Sequence, residues 1–278
     1  MNLVTRLIEE TNRKRRLIMV CGDALVDRWI HGRVEECQDG CPKFVEESYE
    51  ETPGGAANAA RCLQNWNVGV SLYNQGTNAY SIKTRLVNRD GKIVMRHDRE
   101  HQEDDIGTRQ YRHKDALTAV RRMDAVLLSD YDKGFLTQEF ITAMIQECKR
   151  CGVPCVADAK REPGLYAGAI LKGNAQYHEE HCISGPDSVV TIGSTPPTVW
   201  SGGVVQNVGC MFQLPRVECC NHVGAGDCFA AHLTLALAYG FMLAEAATVA
   251  HSAGRVYVQF PHNRPPLPQE IEADLSAT

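Results

Sequence analysis

The sequence predicts an α/β fold in which parallel strands alternate with helices. Apolar runs that end in a polar residue are typical of buried parallel strands that lead into a functional loop. Three such runs are RLIMVCGD, AVLLSD and VPCVADAK, at 16–23, 125–130 and 153–160. The segment 137–152, TQEFITAMIQECKRCG, has a threonine cap and a glycine stop and separates the last two runs as a helix. This alternation indicates βαβ units whose ligands bind beyond the carboxyl ends of the strands.

The remaining elements extend this sheet in chain order. Residues 1–13 form a helical leader, and the alanine-rich segment 56–66 is a further helix. The segments AILKGN (169–174) and SVVTIGS (188–194) are the next strands. Polar residues at the predicted strand ends are Asp23, Asp130, Asp158, Asn174 and Thr191. We expect these side chains at one edge of the sheet.

Two regions interrupt the alternation. Residues 28–51 contain short extended pieces, and residues 83–100 are typical of a hairpin that turns at Asp90-Gly91. Together they can build a small sheet beside the main one, which is a candidate lid that closes over a substrate and excludes water. We therefore expect one domain over residues 1–278, with a lid from about 28–51 and 83–100.

Composition excludes several classes of protein. The 278 residues are 44% hydrophobic and 23% charged, with a net charge of −5, which argues against a general nucleic-acid binder. The longest apolar region, 229–250, is broken by His232, Gly240 and Glu245, so it does not predict a membrane span. The N-terminal segment lacks a small-residue cleavage site, so we expect no export.

The twelve cysteines fit a reducing compartment, and we expect a cytoplasmic protein. Cys148 and Cys151 form a CxxC, but no second CxxC or histidine pair stands at zinc spacing. A small apolar role for several of the cysteines is therefore favoured over a metal site.

The segment NHVGAGDCFAAHLTLALAYG, 221–240, carries the clearest functional signal. Gly224, Ala225 and Gly226 allow a sharp turn whose N–H groups face one point, and a helix from about Asp227 adds its positive end there. Phosphoryl transfer needs such an array of donors, and Asp227 can accept a proton from a substrate hydroxyl. A helix N-terminus is expected to lower the pKa of this aspartate. Read alone, the motif is also compatible with a simple helix cap.

Two further stretches have the form of binding loops. PGGAANAA, 53–60, is a glycine-rich loop that enters a helix with Asn58 in its first turn, although a packing-driven turn explains it equally well. GDALVD, 22–27, places two carboxylates after a strand, where they either bind sugar hydroxyls or remain solvated.

In combination these motifs are more specific. The order GD-x3-D, PGGAAN and GAGD resembles the ribokinase/PfkB family of sugar kinases. The segments KTRLVNRDGKIVMRHD, LLSDYDKGFL and GVPCVADAKREPGLYAGAILKGN are most similar to those members that phosphorylate D-glycero-D-manno-heptose 7-phosphate at its 1-position. The resemblance covers most of residues 16–275. It implies a three-layer α/β/α sandwich with a small β-sheet lid, and transfer of the γ-phosphoryl group of ATP to a sugar phosphate.

The resemblance also implies roles for individual residues. Asp227 would be the catalytic base, and Gly224, Ala225 and Gly226 would form the anion hole. Sugar hydroxyls would be held by Asp27, Gly54, Gly55 and Asn58. The distal phosphate would be bound by residues among Arg85, Arg89, Arg96 and Lys133, although each arginine can equally be a solvated hairpin charge. The ATP side would be lined by Asn174, Thr191, Gly193 and Gly254. Mg²⁺ is expected with ATP, bound mainly through phosphates and water.

The sequence departs from the family pattern at several positions. Asn221 and Val223 stand where the family has Asp and Thr, Tyr177 stands at the Glu of its N-x-x-E element, and His251 replaces a common Asn. Segments normally found before residue 81 and after Glu180 are missing. Two alternatives therefore stay open, namely a kinase for another sugar or nucleoside, and a non-catalytic binding relative. Lid sheets of this family often pair between subunits, so we expect a homodimer through the lid.

Overall fold

The computed structural model describes residues 2–36, 40–76, 81–100, 106–181, 187–207, 217–261 and 263–277. Its helices are α1 (Leu3–Arg13), α2 (Ala56–Cys62), α3 (Ile106–Ala119), α4 (Gln138–Cys151), α5 (Ala175–His181), α6 (Ala225–Ala238), α7 (Leu243–Val258) and α8 (Pro268–Ser276). Its strands are β1 (Leu17–Gly22), β2 (Ala24–Glu36), β3 (Pro42–Gly55), β4 (Gly69–Tyr73), β5 (Ser81–Asn88), β6 (Ile93–Arg99), β7 (Ala125–Ser129), β8 (Cys155–Asp158), β9 (Ile170–Asn174), β10 (Asp187–Ile192), β11 (Thr195–Ser201) and β12 (Val204–Asn207).

Eight strands form the main sheet in the order β12-β11-β10-β9-β8-β7-β1-β4. The six neighbouring strands β4, β1, β7, β8, β9 and β10 pair in parallel, and β11 and β12 extend the sheet as antiparallel strands at one edge. The α/β class and the strands predicted at 16–23, 125–130, 153–160, 169–174 and 188–194 are thus confirmed.

Helices cover both faces of this sheet, which explains why its strands read as continuous apolar runs. Along β1, Ile18 and Val20 pack into a core with α1, α2, α6, α7 and α8, while Met19 and Cys21 pack into a second core with α3, α4 and α5. Helix α6 is buried all round and lies in the first core, which is why its sequence lacks a polar stripe. The structure therefore has three layers.

Helix α4 shows how local sequence sets an element. The Thr137 side chain accepts a hydrogen bond from the Phe140 N–H at 3.2 Å, and Gly152 ends the helix with φ +68°. Both boundary signals are the ones predicted from sequence. Cys148 of the CxxC is buried in the core, and the Cys151 thiol contacts the Glu147 carboxylate.

Four strands form the small sheet, in the order β3-β2-β5-β6. The β5-β6 hairpin turns around Asp90-Gly91 as predicted. The prediction of short extended pieces at 28–51 is wrong, because β2 and β3 are long strands of 13 and 14 residues that pair from Ala24–Gly55 to Glu36–Pro42. Strand β2 also pairs in parallel with β5, so the first half of the sheet is joined to the hairpin.

Candidate active site

The loop before α6 carries the residues predicted to form the anion hole. Gly224 is the N-cap of α6 with φ +82°, a backbone conformation that favours glycine. A Cβ atom at Gly224 would stand 2.4 Å from the Tyr257 hydroxyl and 2.5 Å from the Asn58 amide nitrogen. The helix begins at Ala225, two residues before the predicted start, so Asp227 lies inside its first turn.

Asp227 is buried, with 2% of its surface exposed, and both of its carboxylate oxygens accept a hydrogen bond. Asn58 Nδ2 donates to Oδ2 at 3.0 Å, and the Tyr131 hydroxyl donates to Oδ1 at 2.5 Å. Removal from water disfavours the charged form and is the largest effect, so the pKa of Asp227 rises to about 6. The lowered pKa expected from the helix N-terminus is therefore wrong. At neutral pH the carboxylate is mostly ionised and more basic than an exposed aspartate.

Asn58 connects the Asp227 carboxylate to the loop before α6 and to α7. Besides Asp227, its Nδ2 lies 3.3 Å from the Gly224 carbonyl oxygen and 3.2 Å from the Tyr257 hydroxyl. The sequence resemblance assigned Asn58 to sugar hydroxyls, whereas its amide group here contacts the base and the anion-hole loop.

The sugar-side residues Asp27 and Arg85 lie on adjacent strands and form a buried ion pair, with Oδ1 and Nη1 2.8 Å apart. Gly54 faces the same carboxylate, because a Cβ atom there would stand 2.5 Å from Asp27 Oδ2. Gly55 has φ +58° and caps α2 at the end of β3. Gly54 is thus brought against Asp27, whereas Gly55 packs against the Asp23 carbonyl oxygen and the Leu25 side chain.

The predicted phosphate-binding cations separate into two groups. Arg96 faces Arg85 across the hairpin and donates to the Asp98 carboxylate at 2.6 and 2.9 Å. Arg89 follows Asn88, and Asn88 pairs with Gly32, which lies five residues or about 16 Å along β2 from Asp27. Its guanidinium donates to the Glu47 carboxylate and does not lie beside the base.

Lys133 is likewise paired with a carboxylate, since its ammonium lies 2.5 Å from Glu100. The backbone around it is fixed by Asp23, which is fully buried and accepts from the N–H groups of Tyr131, Lys133 and Phe135 at 2.9–3.1 Å. Asp23 therefore holds a loop in place and is not available to a sugar.

Lys83 is a cation that the sequence-based site lacks. It pairs with Asp27 in the β2-β5 register, and its ammonium lies 4.6 Å from the centre of the Tyr131 ring. No described carboxylate stands within 4.0 Å of it, in contrast to Arg85 and Arg96. Burial lowers the pKa of Lys83, and the carboxylate of Asp27 partly opposes this effect. Its position depends on strand register and not on a local motif.

The nucleotide-side residues line a cavity of about 510 Å³, a size typical of small-molecule sites. All four positions predicted for ATP line it, namely Asn174, Thr191, Gly193 and Gly254. Ala225 and Gly226 of the loop before α6 and the side chain of His251 line it as well. Burial lowers the pKa of His251 to about 4, so its ring is neutral at neutral pH.

A buried ion pair adjoins the anion hole. Lys172 Nζ lies 2.9 Å from Asp158 Oδ1, and a Cβ atom added at Gly226 would stand 3.2 Å from the same nitrogen. The lysine stands inside the apolar strand β9, and a charged residue within such a run is the signal that sequence reasoning missed.

Tyr177 and Asn221, which differ from the family pattern, both form hydrogen bonds with neighbouring residues. Tyr177 packs into the core and donates its hydroxyl hydrogen to the Arg161 carbonyl oxygen at 2.5 Å, while Asn174 Oδ1 accepts from the Tyr177 N–H. Asn221 Nδ2 donates to Asn263 Oδ1 at 2.7 Å, and Asn221 Oδ1 accepts from the Val223 N–H. These side chains hold local backbone and do not carry a free charge into the site.

Groups of three or more potential metal ligands are absent from the described part of the chain. Within the same ranges, no helix is both long and apolar enough to cross a membrane.

Comparison with known proteins gives relatives but no matching family model. The bifunctional protein HldE of Citrifermentans bemidjiense is 28% identical over 306 residues, which cover 92% of this chain and 63% of the relative. HldE of a Nitratiruptor species is 28% identical over 285 residues, which cover 87% and 61%. The chain thus spans about three fifths of the length of these relatives.

Solved structures share the fold at low identity. A carbohydrate kinase from Agrobacterium tumefaciens superposes with a TM-score of 0.67 at 20% identity over 94% of this chain and 97% of its own. Ribokinase from Arabidopsis thaliana, complexed with ribose and ATP, has a TM-score of 0.65 at 16% identity over 94% and 99%. Phosphofructokinase-2 from Escherichia coli, in complex with potassium, has a TM-score of 0.67 at 14% identity over 94% and 98%. The chain therefore shares the fold of these kinases and is similar in sequence to HldE.

Proposed function

We propose that the protein is an ATP-dependent sugar kinase that transfers the γ-phosphoryl group to a hydroxyl of a phosphorylated sugar. The observation that carries this proposal is the position of Asp227. Its two preceding residues, Ala225 and Gly226, line the nucleotide-sized cavity, while the ammonium of Lys83 and the carboxylate of Asp27 lie on the small-sheet side. A base between a nucleotide site and a sugar site fits phosphoryl transfer.

On the nucleotide side, Asn174, Thr191, Gly193 and Gly254 are proposed to contact ATP. ATP with Mg²⁺ supplies the transferred group and part of the charge neutralisation. The N–H groups of the loop before α6 and the positive end of that helix favour negative charge at its mouth. The ammonium of Lys172, which is paired with Asp158, lies beside Gly226 at this position.

On the sugar side, Asp227 accepts the proton of the reacting hydroxyl. Its raised pKa of about 6 makes it a stronger base than an ordinary aspartate while leaving it ionised at neutral pH. Asp27, with Gly54 and Gly55 beside it, is proposed to bind sugar hydroxyls. Burial of the pair formed by Asp27 and Arg85 keeps both groups oriented.

The distal phosphate is proposed to bind Lys83 and Arg96, which share the Asp27 face of the small sheet. Lys83 has the strongest claim, because an ammonium without a close carboxylate gains more from a phosphate than one that is already paired. The resemblance of the central segments supports D-glycero-D-manno-heptose 7-phosphate as substrate, phosphorylated at O1.

The test is ADP release by the purified protein with ATP, Mg²⁺ and a panel of sugar phosphates that includes heptose 7-phosphate. Asp227→Asn should abolish release while calorimetry shows unchanged sugar-phosphate binding. Absence of ADP with every sugar, together with unchanged binding by the variant, would refute the catalytic proposal.

The same panel discriminates the two alternatives. If neutral sugars or nucleosides give a higher kcat/KM than sugar phosphates, the protein is a kinase for another substrate. Tight sugar-phosphate binding without turnover selects a non-catalytic relative. The substitution of Tyr177 at the N-x-x-E position is the observation that favours this second alternative.

We further propose that residues 1–278 form one catalytic domain and that the small sheet is its lid. The free thiols among the described cysteines support a reducing, cytoplasmic location. Because the lid strands present Asp27 and Lys83 beside the base, closure of this sheet would exclude water from the sugar.

The outer face of the small sheet supports a homodimer. Ile30, Tyr49, Leu86 and Met95 pair across all four strands, so they share one face, opposite to that of Asp27. Tyr49 and Met95 are 63% and 58% exposed, and an exposed apolar row of this kind favours pairing with a second copy. Met95→Asp should convert the dimer to monomer in sedimentation, whereas a wild-type protein that is monomeric at high concentration would refute the proposal.

A further inference from the structure

Tyr131 has a direct contact with the base of the proposed reaction. It follows β7 in the segment SDYDKG, and its hydroxyl donates to Asp227 Oδ1 at 2.5 Å. Asn58 occupies the other oxygen, so the carboxylate has a donor on each side. We propose that Tyr131 is a positioning residue that orients the Asp227 carboxylate and sets the pH range in which it accepts a proton. This inference rests on the proposed kinase activity.

The Tyr131 backbone is fixed before any ligand binds. Its N–H donates to Asp23 Oδ2 at 2.9 Å, and the N–H groups of Lys133 and Phe135 donate to the same carboxylate. Asp132, the next residue, has φ +54°, which turns the chain sharply after the tyrosine. Because this loop is already constrained, little further conformational entropy is lost when the Tyr131 hydroxyl points at Asp227. A positioning residue requires such a fixed direction.

Two ammonium groups lie near the Tyr131 ring. Lys83 Nζ is 4.6 Å and Lys160 Nζ 5.4 Å from its centre, both within the range of cation–π attraction. Positive charge near the ring draws electron density from the hydroxyl and makes it a stronger donor. The O–O distance of 2.5 Å fits a hydrogen bond between a neutral hydroxyl and a charged carboxylate. Burial and the charge of Asp227 raise the pKa of Tyr131, so the phenol keeps its proton.

Asp227 is surrounded by other groups that affect its proton, each from a different element. The Asp158 carboxylate at the end of β8 raises its pKa, and the Lys172 ammonium on β9 lowers it. Lys83 on β5 also acts on Asp227 by its charge, and Tyr257 on α7 is a further titratable group nearby. The hydrogen bonds from Tyr131 and Asn58 oppose the effect of burial. Loss of the Tyr131 hydroxyl should therefore raise the pKa of the base.

Tyr131→Phe is the decisive substitution, because it keeps the ring over which the two lysines lie and removes only the hydroxyl. A hydrogen bond to a charged group corresponds to about one to two pH units in pKa. We expect the acid limb of the pH profile of kcat/KM to move upward by that amount. We also expect kcat on the plateau to fall about tenfold to a hundredfold, since a misdirected base reacts more slowly.

Tyr166→Phe is the matched control. Tyr166 is also buried and donates its hydroxyl hydrogen to a buried carboxylate, Asp130 Oδ2, at 2.6 Å, but Asp130 does not contact the anion hole in any described hydrogen bond. This variant should keep the acid limb of the wild-type profile. An equal shift in both variants would mean that loss of any buried phenol perturbs the loop, and would overturn the assignment.

The titration of Asp227 can be followed without turnover by carboxyl ¹³C NMR of aspartate-labelled protein, with Asp227→Asn to assign the signal. The midpoint should rise in Tyr131→Phe relative to wild type even if no sugar in the panel is phosphorylated. An unchanged midpoint, with a folded variant shown by thermal unfolding, would reduce Tyr131 to a packing residue. Failure of the kinase assay alone would refute the proposed function and leave this measurement to decide the role of Tyr131.

Discussion

Replacement of Asp227 by asparagine tests how much the buried, ionised carboxylate lowers the free energy of unfolding. Burial raises the pKa of this carboxyl from its ordinary value of 3.8 to about 6. The folded protein therefore holds the proton over a range in which the unfolded chain has released it. In that window the folded state binds more protons, so the free energy of unfolding falls as pH rises. An asparagine side chain does not titrate, so the Asp227→Asn variant is free of this loss.

The magnitude follows from the two pKa values. One pH unit corresponds to about 1.4 kcal/mol, so the ionised carboxylate costs the native state about 3 kcal/mol above pH 6. Asp227→Asn should then be more stable than wild type at neutral pH, and the pH-dependent part of the difference should vanish below about pH 4. An offset of about 1 kcal/mol that does not depend on pH is expected, because the new amide group faces the Asn58 amide.

Urea unfolding of both proteins, followed by circular dichroism at about pH 4, 5, 6 and 7, measures this difference. Asp132→Asn is the control, because that side chain is exposed and its backbone, with φ +54°, accepts asparagine. Its effect should stay within about 0.5 kcal/mol at every pH. If the stability difference between Asp227→Asn and wild type is the same at all four pH values, burial does not raise the pKa of Asp227.

Three other substitutions probe the two sides of the site. Lys83→Met should lower kcat/KM for a sugar phosphate at least about tenfold, consistent with loss of a charge-assisted hydrogen bond, and leave kcat/KM for the neutral sugar nearly unchanged in the ADP assay. Gly224→Ala should destabilise the protein by more than about 1 kcal/mol in urea unfolding and abolish ADP release, because its Cβ would stand 2.4 Å from the Tyr257 hydroxyl. Asp27→Ala should cost about 3 kcal/mol in urea unfolding, since it leaves Arg85 buried and unpaired; a loss below about 1 kcal/mol would mean that Arg85 finds water.

The main sheet could be predicted because its signals are local. Strands β1, β7 and β8 are apolar on both faces, and α4 carries its cap and stop within its own sequence. The small sheet was harder to predict, because β2 is half-buried and β3 is exposed on much of its length, and neither strand has a continuous apolar run. Their pairing, and not their composition, makes them long strands.

The candidate site divides in the same way. Gly224 and Asp227 belong to a local motif, so sequence alone located the loop. Lys83 reaches the site only through the parallel register of β2 and β5, and Tyr131 through a loop held by Asp23. The sign of the Asp227 pKa change was wrong because a helix terminus can be read locally, whereas complete burial depends on the packing of the whole chain.

Asp227 accepts one hydrogen bond from a residue that follows the small sheet and one from a residue that follows the main sheet. Asn58 stands in the first turn of α2, which begins directly after the small-sheet strand β3 ends at Gly55, whereas Tyr131 follows the main-sheet strand β7. The two hydrogen bonds to Asp227 can therefore coexist only at one relative placement of the two sheets. Asp27 and Lys83, which are proposed to hold the sugar, also lie on the small sheet, and Asn58 follows directly after it on α2. On the proposed function, movement of the small sheet would therefore change both the sugar contacts of Asp27 and Lys83 and, through Asn58, the direction of the Asp227 carboxylate.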